Sequence, residues 1–582
     1  MANQTPPSPA PGPAALLKLA QDDPRRAEAV WHGLSREQRL RTVLAAKGVE
    51  RERLIVLAAD SRELAQQLPP DEFATTVLEV GPEDAGALIE LCSDEQLTYL
   101  LDLTGWWKEN FAPERYQIWL PMILDAGAKR LQRWLANTDM EVLALLLRHW
   151  VRIVKFLPSQ EQQEPPDDLP EFTIDGVYFF EFVDPKVQGF VAQVLVLLKS
   201  EMPEAYYRTL EAALWEQTAE LQEYANRWRS GRLADHGFPT RLEALELWAA
   251  PAPGESAWQD LPPKASVTER AAPRSDRLSA MLPEQEFLPA LAGELTGEAG
   301  DLLRAELAYI ASCGVAALEA DPAHPEEVER AARESLGLVN LGLGVLSGGD
   351  PVKAREVVSR LSLAALARQG AAAVRDLNRR AWALAKEGWL SRMPTGLHIL
   401  EPPLDRWLAG LVYARPRCYD PNLGQNREYR AFINLADVET ADSAIKQAAF
   451  WGTLLLELLA LKVEDIRGLY QGEHLSPEDP TDIKLSHVLG TWLARRELGL
   501  EGLAPIPAAR LREAVTALQK ALKHGLEDEL AESLRALPDP AQASLAGRAL
   551  RGVLQHLSLE LARLDPEGEM DPRFIAGLVV EA

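Results

Sequence analysis

Cysteine is scarce in this chain. Cys92, Cys313 and Cys418 are far apart and odd in number, so they build neither a disulfide framework nor a Cys-x-x-Cys metal knuckle. Long hydrophobic runs are missing too. The most apolar stretches, Val187–Leu198 and Ala448–Leu461, are too short to span a bilayer, and Glu457 interrupts the second. The start, MANQTPPSPAPGPAA, lacks the basic and apolar regions of a secretory signal. Positive charge is in deficit: 61 Lys and Arg face 87 Asp and Glu, for a net charge of −26. Phosphate backbones and anionic membranes would be repelled, which argues against a general nucleic-acid binder. The expectation is a cytoplasmic protein with no membrane span. An apolar fraction of 47% and a charged fraction of 25% over 582 residues suit two or three globular domains.

What is present is a repeat. Pro70-Asp71-Glu72-Phe73, Pro82-Glu83-Asp84-Ala85 and Asp94-Glu95-Gln96-Leu97 recur at a step of 12 residues between Arg62 and Trp107. Phe73, Val77 and Val80, then Ala85, Ile89 and Cys92, then Leu97, Leu101 and Thr104 keep one register, i, i+4, i+7. Each unit is therefore a short amphipathic helix and a turn, too short to persist alone, so the units must stack. Pro70 and Pro82 suit a first helical turn, and the acids that follow suit the positive end of the helix dipole. Ser93 and Gln96 form a capping box instead, as do Ser35 and Gln38.

The cadence LPPDEF…VGPEDAGALIEL…SDEQLTYLLDL resembles the helical repeats in the cytoplasmic N-terminal domain of MgtE-type magnesium transporters. The flagellar motor switch protein FliG carries related repeats. Magnesium transport is not implied, because no membrane domain or paired nucleotide-binding module accompanies the repeats. A wider resemblance is to functionally uncharacterised bacterial proteins of similar length. It rests on LDLTGWWKENF (Leu101–Phe111), YANRWRSGRLADHGFP (Tyr224–Pro239) and DPRFIAGLVV (Asp571–Val580), and it implies a family without an activity.

The expected fold is mainly α. Residues 1–13 form a disordered tail, and 14–157 a helical-repeat domain ending in a helix from Met140 to Leu157. Along that helix Arg148, Arg152 and Lys155 make a basic stripe, ordinarily a solvated face and alternatively a partner-docking one. Residues 171–249 combine a β-hairpin with helices; the hairpin is signalled by β-formers either side of Asp175-Gly176. One helix is expected over Glu204–Gly231. Residues 250–282 are a Pro-rich linker, and 283–582 a helical C-terminal domain with a short strand at Ala431–Leu435.

Candidate sites are few. Trp228, Arg229, Arg232, Asp235 and His236 are the densest polar–aromatic cluster. They suit an anion or peptide-tail site with arginine as the bidentate group, or a purely structural turn. Glu216, Glu220, Glu223 and Arg227 would share a helix face, which allows weak divalent-cation binding or, more ordinarily, ion pairing. Cys418 and His398 match no nucleophile signature, and His556 with Glu560 lacks the second histidine of a zinc motif. Gly337–Gly344 is Gly-rich but inside a helical pattern. Trp106 and Trp107 suit a cap on the repeat stack, or an interface hot spot if exposed. No catalytic residue, metal or cofactor is assigned. The favoured function is a non-enzymatic scaffold or adaptor that binds an unidentified protein partner. The alternatives are a cation-responsive regulator and an enzyme with its site at the domain junction.

Overall fold

The repeat is built as alternating helices in two layers. The structure, a computed structural model, describes residues 12–157, 169–249, 274–424, 427–523, 540–565 and 570–582. Its first helices are α1 (Pro13–Asp22), α2 (Pro24–Gly33), α3 (Arg36–Ala45), α4 (Gly48–Val56), α5 (Ser61–Gln66), α6 (Pro70–Val80), α7 (Gly86–Leu91) and α8 (Asp94–Thr104). Helices α4, α6 and α8 pack on one another in succession, and α3, α5 and α7 do likewise. Val77, Ile89 and Leu101 are buried, as the shared register requires. The second unit departs from expectation. Pro82–Ala85 form a turn in which the Ala85 N–H bonds to the Gly81 carbonyl, so that helix starts only at Gly86.

Short helices leave many terminal carbonyls without partners, and buried side chains from neighbouring units supply them. Gln96 completes its capping box with Ser93 and also donates to the Ala65 and Leu68 carbonyls, both at 2.8 Å. Arg130 donates to the Ile89 and Cys92 carbonyls. Arg51 donates to the Leu44 and Ala46 carbonyls and pairs with Glu72 at 2.8 Å.

After α8 a small hairpin follows, β1 (Trp106–Trp107) and β2 (Asn110–Phe111), with Trp106 opposite Phe111. Then come α9 (Pro113–Tyr116), α10 (Leu120–Asp125), α11 (Ala128–Asn137) and α12 (Met140–Trp150). The expected helix to Leu157 stops at Trp150, because β3 (Val151–Lys155) is β-branched and finds a partner strand. It pairs with β5 (Tyr178–Phe182), which pairs on its other edge with β4 (Phe172–Thr173). The Asp-Gly hairpin is thus present within a three-stranded sheet, and Gly176 takes a φ of 70° in its turn.

The basic stripe is not a single helix face. Arg148 donates to the Ala212, Ala213 and Glu216 carbonyls, Lys155 pairs with Glu211, and Arg152 reaches Glu181 across the sheet. The expected helix 204–231 is two, α14 (Pro203–Trp215), preceded by α13 (Gln188–Glu201), and α15 (Thr218–Asp235). Glu216 sits at the break, with ψ of 152°, off the face that Glu220 and Glu223 would share. Next is α16 (Arg241–Leu245), capped by Thr240.

The described residues form two compact units, within Met1–Leu343 plus Asp350–Arg368 and within Gly344–Gly349 plus Gln369–Ala582. This division falls elsewhere than the Pro-rich stretch. Residues 1–11 of the expected tail and 250–273 of the expected linker lie outside the described residues. The linker's described end, Arg274–Leu282, lies on the repeats: Arg274 pairs with Asp71 at 3.2 Å, Arg277 with Glu79 at 2.8 Å, and buried Ser275 donates to Glu72. Then follow α17 (Phe287–Glu294), α18 (Gly297–Leu318), α19 (Pro325–Ser347) and α20 (Pro351–Arg360), all in the first unit except the end of α19 from Gly344. The Gly-rich stretch 337–344 is helical, within α19.

In the second unit the segment at Asp571–Val580 docks, as its apolar character suggests, with Ile575, Leu578, Val579 and Val580 all buried. Val580 pairs with Ser476 on one side and Ile506 on the other. The strand near Ala431–Leu435 lies earlier, at Tyr429–Arg430, paired with Cys418–Tyr419; Asn434 instead caps a helix from Leu435 to Thr453. Among the described residues no helix is long and apolar enough to cross a membrane.

Burial, with His556 and Lys484 nearby, lowers the His487 imidazole from 6.5 to about 4. Its Nδ1 accepts the Lys484 N–H, a role for the neutral ring. As pH falls below 6.5 the unfolded chain takes the proton and the folded one does not. Stability present above that value is therefore lost progressively toward pH 4, by about 3 kcal/mol in all. His487→Gln keeps an acceptor and should flatten this loss. Urea midpoints of both proteins at pH 7 and 4.5 measure it, and equal losses would refute the assignment.

Candidate functional site

The sequence of α15 distributes its polar residues over two sides of one helix. Asn226, Arg229, Ser230 and Leu233 line a cavity of about 330 Å³ in the first unit. Arg232, Asp235 and His236 border a separate groove beside Asp94, Glu95 and Tyr99. The cluster of five is thus divided: Arg229 faces the cavity, three residues face the groove, and Trp228 is exposed.

In the groove, Arg232 is fully engaged. It makes bidentate contacts with Asp102 at 2.7 and 2.9 Å and with Asp139 at 3.0 and 2.8 Å. Burial alone would lower its pKa, but these hydrogen bonds hold it well above the ordinary arginine range. His236 approaches Glu95 at 3.5 Å and meets Tyr99 edge to face. Asp235 is exposed. The geometry joins α15 to α8 and to the start of α12; no nucleophile and base are brought together there.

The cavity is walled by the β1–β2 hairpin, α15, the turn Phe238–Arg241, and the end of α18 with the loop after it. Trp106 is buried and packs edge-on against Phe111, while Trp107 is 43% exposed. The hairpin turns through Lys108 at φ 58°, and α18 ends on Glu319 at φ 52°. Both are left-handed conformations unusual for such residues. The two side chains meet, Lys108 Nζ lying 2.9 Å from Glu319, which also pairs with Arg241 at 3.2 Å. Arg115 pairs with Asp321 at 2.7 Å and lies over the Trp107 ring. Burial opposes ionisation of Asp321, yet Arg115 and the Ala323 N–H hold its carboxyl below the ordinary value.

Arg229 differs from these. Its guanidinium stacks 5.1 Å from the Trp106 ring centre. Nε donates to the Asp102 carbonyl at 2.6 Å, and Nη1 to Asn226 Oδ1 and, at 3.5 Å, to the Lys108 carbonyl. It makes no salt bridge with a described residue. Burial lowers its pKa to about 10, against the opposing influence of Asp102 and Glu109. The Trp106 indole N–H is also buried, and no described group accepts from it. No motif in the chain signals that Lys108, Arg241, Glu319 and Asp321 meet, since the Lys108–Glu319 contact joins residues 211 positions apart.

The other candidates are dispersed. Cys418 is buried, and burial with Asp437 nearby pushes its thiol far up, the reverse of an activated nucleophile. Arg430 beside it pairs with both Asp420 and Asp437. The His398 carbonyl accepts from Lys484. Among the described residues no group of three or more His, Cys, Asp or Glu is placed to hold a metal ion.

No curated protein and no solved structure matches the chain. Neither comparison supports the resemblance to transporter repeats. A family model does match, over residues 28–581. That span covers the repeats, the cavity and the docked C-terminal segment together, and the chain belongs to the family of unknown function DUF6178.

Proposed function

We propose that this protein is a non-enzymatic adaptor that receives a partner protein at the cavity closing the helical-repeat array. The observation that supports this is Trp107, a large aromatic left 43% exposed on the cavity wall and held there by Arg115. Exposed tryptophan beside a preformed hollow is the composition of an interface hot spot. The same helix that lines the cavity, α15, also carries exposed Tyr224 and Trp228. The α6–α8 side of the array holds Arg274–Leu282 of its own chain, which directs the partner to the cavity side. Three buried free cysteines suit a reducing cytoplasm.

The test is quantitative affinity purification from the organism that makes the protein. Wild type is compared with Trp107→Ala and with Trp215→Ala, an exposed tryptophan that does not line the cavity. One partner should be retained by wild type and Trp215→Ala and fall at least tenfold with Trp107→Ala. Equal recovery by all three, or no specific partner, would refute the proposal.

A further inference from the structure

Most of the cavity's charged side chains are held in ion pairs. Lys108 and Arg241 share Glu319, and Arg115 holds Asp321. Arg229 is left over: it contacts carbonyls, an amide and an indole face, and its Nη2 bonds to no described group. The guanidinium is half-buried and feels Asp102 and Glu109 without bonding to either carboxylate, and because stacking fixes it, its free edge points in a set direction. Beside it the buried Trp106 N–H is a second donor without an acceptor. Leu103, Leu233, Phe238, Val315 and Ala320 give the wall an apolar part, beside the polar Asn110, Asn226, Ser230 and Thr240.

We infer that this cavity is the binding site for a carboxylate carried on a short apolar body, with the carboxylate seated at Arg229 and the body against Phe238 and Val315. The inference rests on the cavity being the protein's binding site, as proposed above, and adds the chemistry of what enters. A carboxylate presents two oxygens to a guanidinium fork. It also carries a single charge, which one spare arginine balances. A phosphate dianion, with twice the charge, would meet stronger repulsion from Glu109, Glu319 and Asp321 in the same wall. The volume is at the small end for ligand pockets, which admits a ring or the last one or two residues of a peptide. An incoming carboxylate would also relieve the burial penalty that depresses Arg229.

Isothermal titration of the full chain tests this with matched pairs: benzoate against benzamide, and acetylated dipeptides ending in Leu or Phe as free acids against their amides. The acid should bind saturably and at least tenfold more tightly than its amide. Which acid binds, benzoate or peptide, identifies the source of the carboxylate. Arg229→Gln should weaken the acid at least tenfold, and Trp106→Phe, which removes only the spare N–H and some ring area, should weaken it less. Because Arg229→Gln also loses hydrogen bonds to the hairpin, Ala316→Phe is the second variant; it fills the cavity from a half-exposed wall position and leaves Arg229 in place. No saturable acid binding below about 10 mM would overturn the inference, as would equal affinity for acid and amide. Undiminished binding by both Arg229→Gln and Ala316→Phe would do so as well. A Trp107→Ala protein that keeps its partner while the acids still bind would sink the adaptor proposal alone.

Discussion

Arg51→Ala is expected to destabilise the first unit by about 3–5 kcal/mol, the cost of leaving a buried charge without its partner. Arg51 is 1% exposed and binds Glu72 and Thr76 of α6 as well as the carbonyls at the end of α3. Without it, the Glu72 carboxylate keeps only the Ser275 N–H and hydroxyl. The pH dependence gives the sign. Burial opposes ionisation of Glu72, but Arg51 and Ser275 outweigh it and lower the carboxyl below 4.5. Its contribution is therefore present above pH 4.5 and is lost as pH falls through the lower folded value. In the variant the burial effect prevails, so the deficit should shrink in acid. A chain with two compact units need not unfold in one step. Hydrogen exchange across α4, α6 and Arg274–Leu282 is therefore the better measurement, and unchanged protection there would rule the account out.

Arg232→Ala should cost about 2–4 kcal/mol, somewhat less because its side chain is 32% exposed and water can reach the vacated site. Two carboxylates, Asp102 and Asp139, would then face each other without the cation between them. Arg232→Lys should recover little, since an ammonium cannot form both forks. Adding Asp102→Asn and Asp139→Asn to Arg232→Ala should restore much of the loss. Melting temperatures of the set measure this, and a triple variant no more stable than Arg232→Ala would show that the charges are not the cause. The contrast with Arg229 is the useful one: three residues along the same helix, one arginine is consumed by structure and the other has an edge to spare.

The separation of those two arginines shows how far sequence reasoning reaches. Trp228-Arg229 through His236 is visible as a cluster in one dimension. On the helix both arginines reach Asp102, yet they line different hollows, so adjacency in sequence is not convergence on one site. The Trp106–Phe111 hairpin was likewise hidden, since two-residue strands leave no alternating pattern to detect. The helix expected through Leu157 failed for a different reason. Val151–Lys155 is compatible with either state, and β5 decided it by offering a partner.

What the residues determined alone is whatever depends on neighbours a few positions away: the 12-residue helical step, the capping boxes at Ser35 and Ser93, the Asp-Gly turn, and the apolar C-terminal segment. Those signals are local because helix faces and caps are set within one or two turns of backbone. What only the tertiary structure decided is the covering of the repeats by Arg274–Leu282 and the cavity itself. Asp71 meets Arg274 across 203 positions and Arg115 meets Asp321 across 206. Pairings at that range depend on how whole helices pack, and no short window of sequence contains both partners.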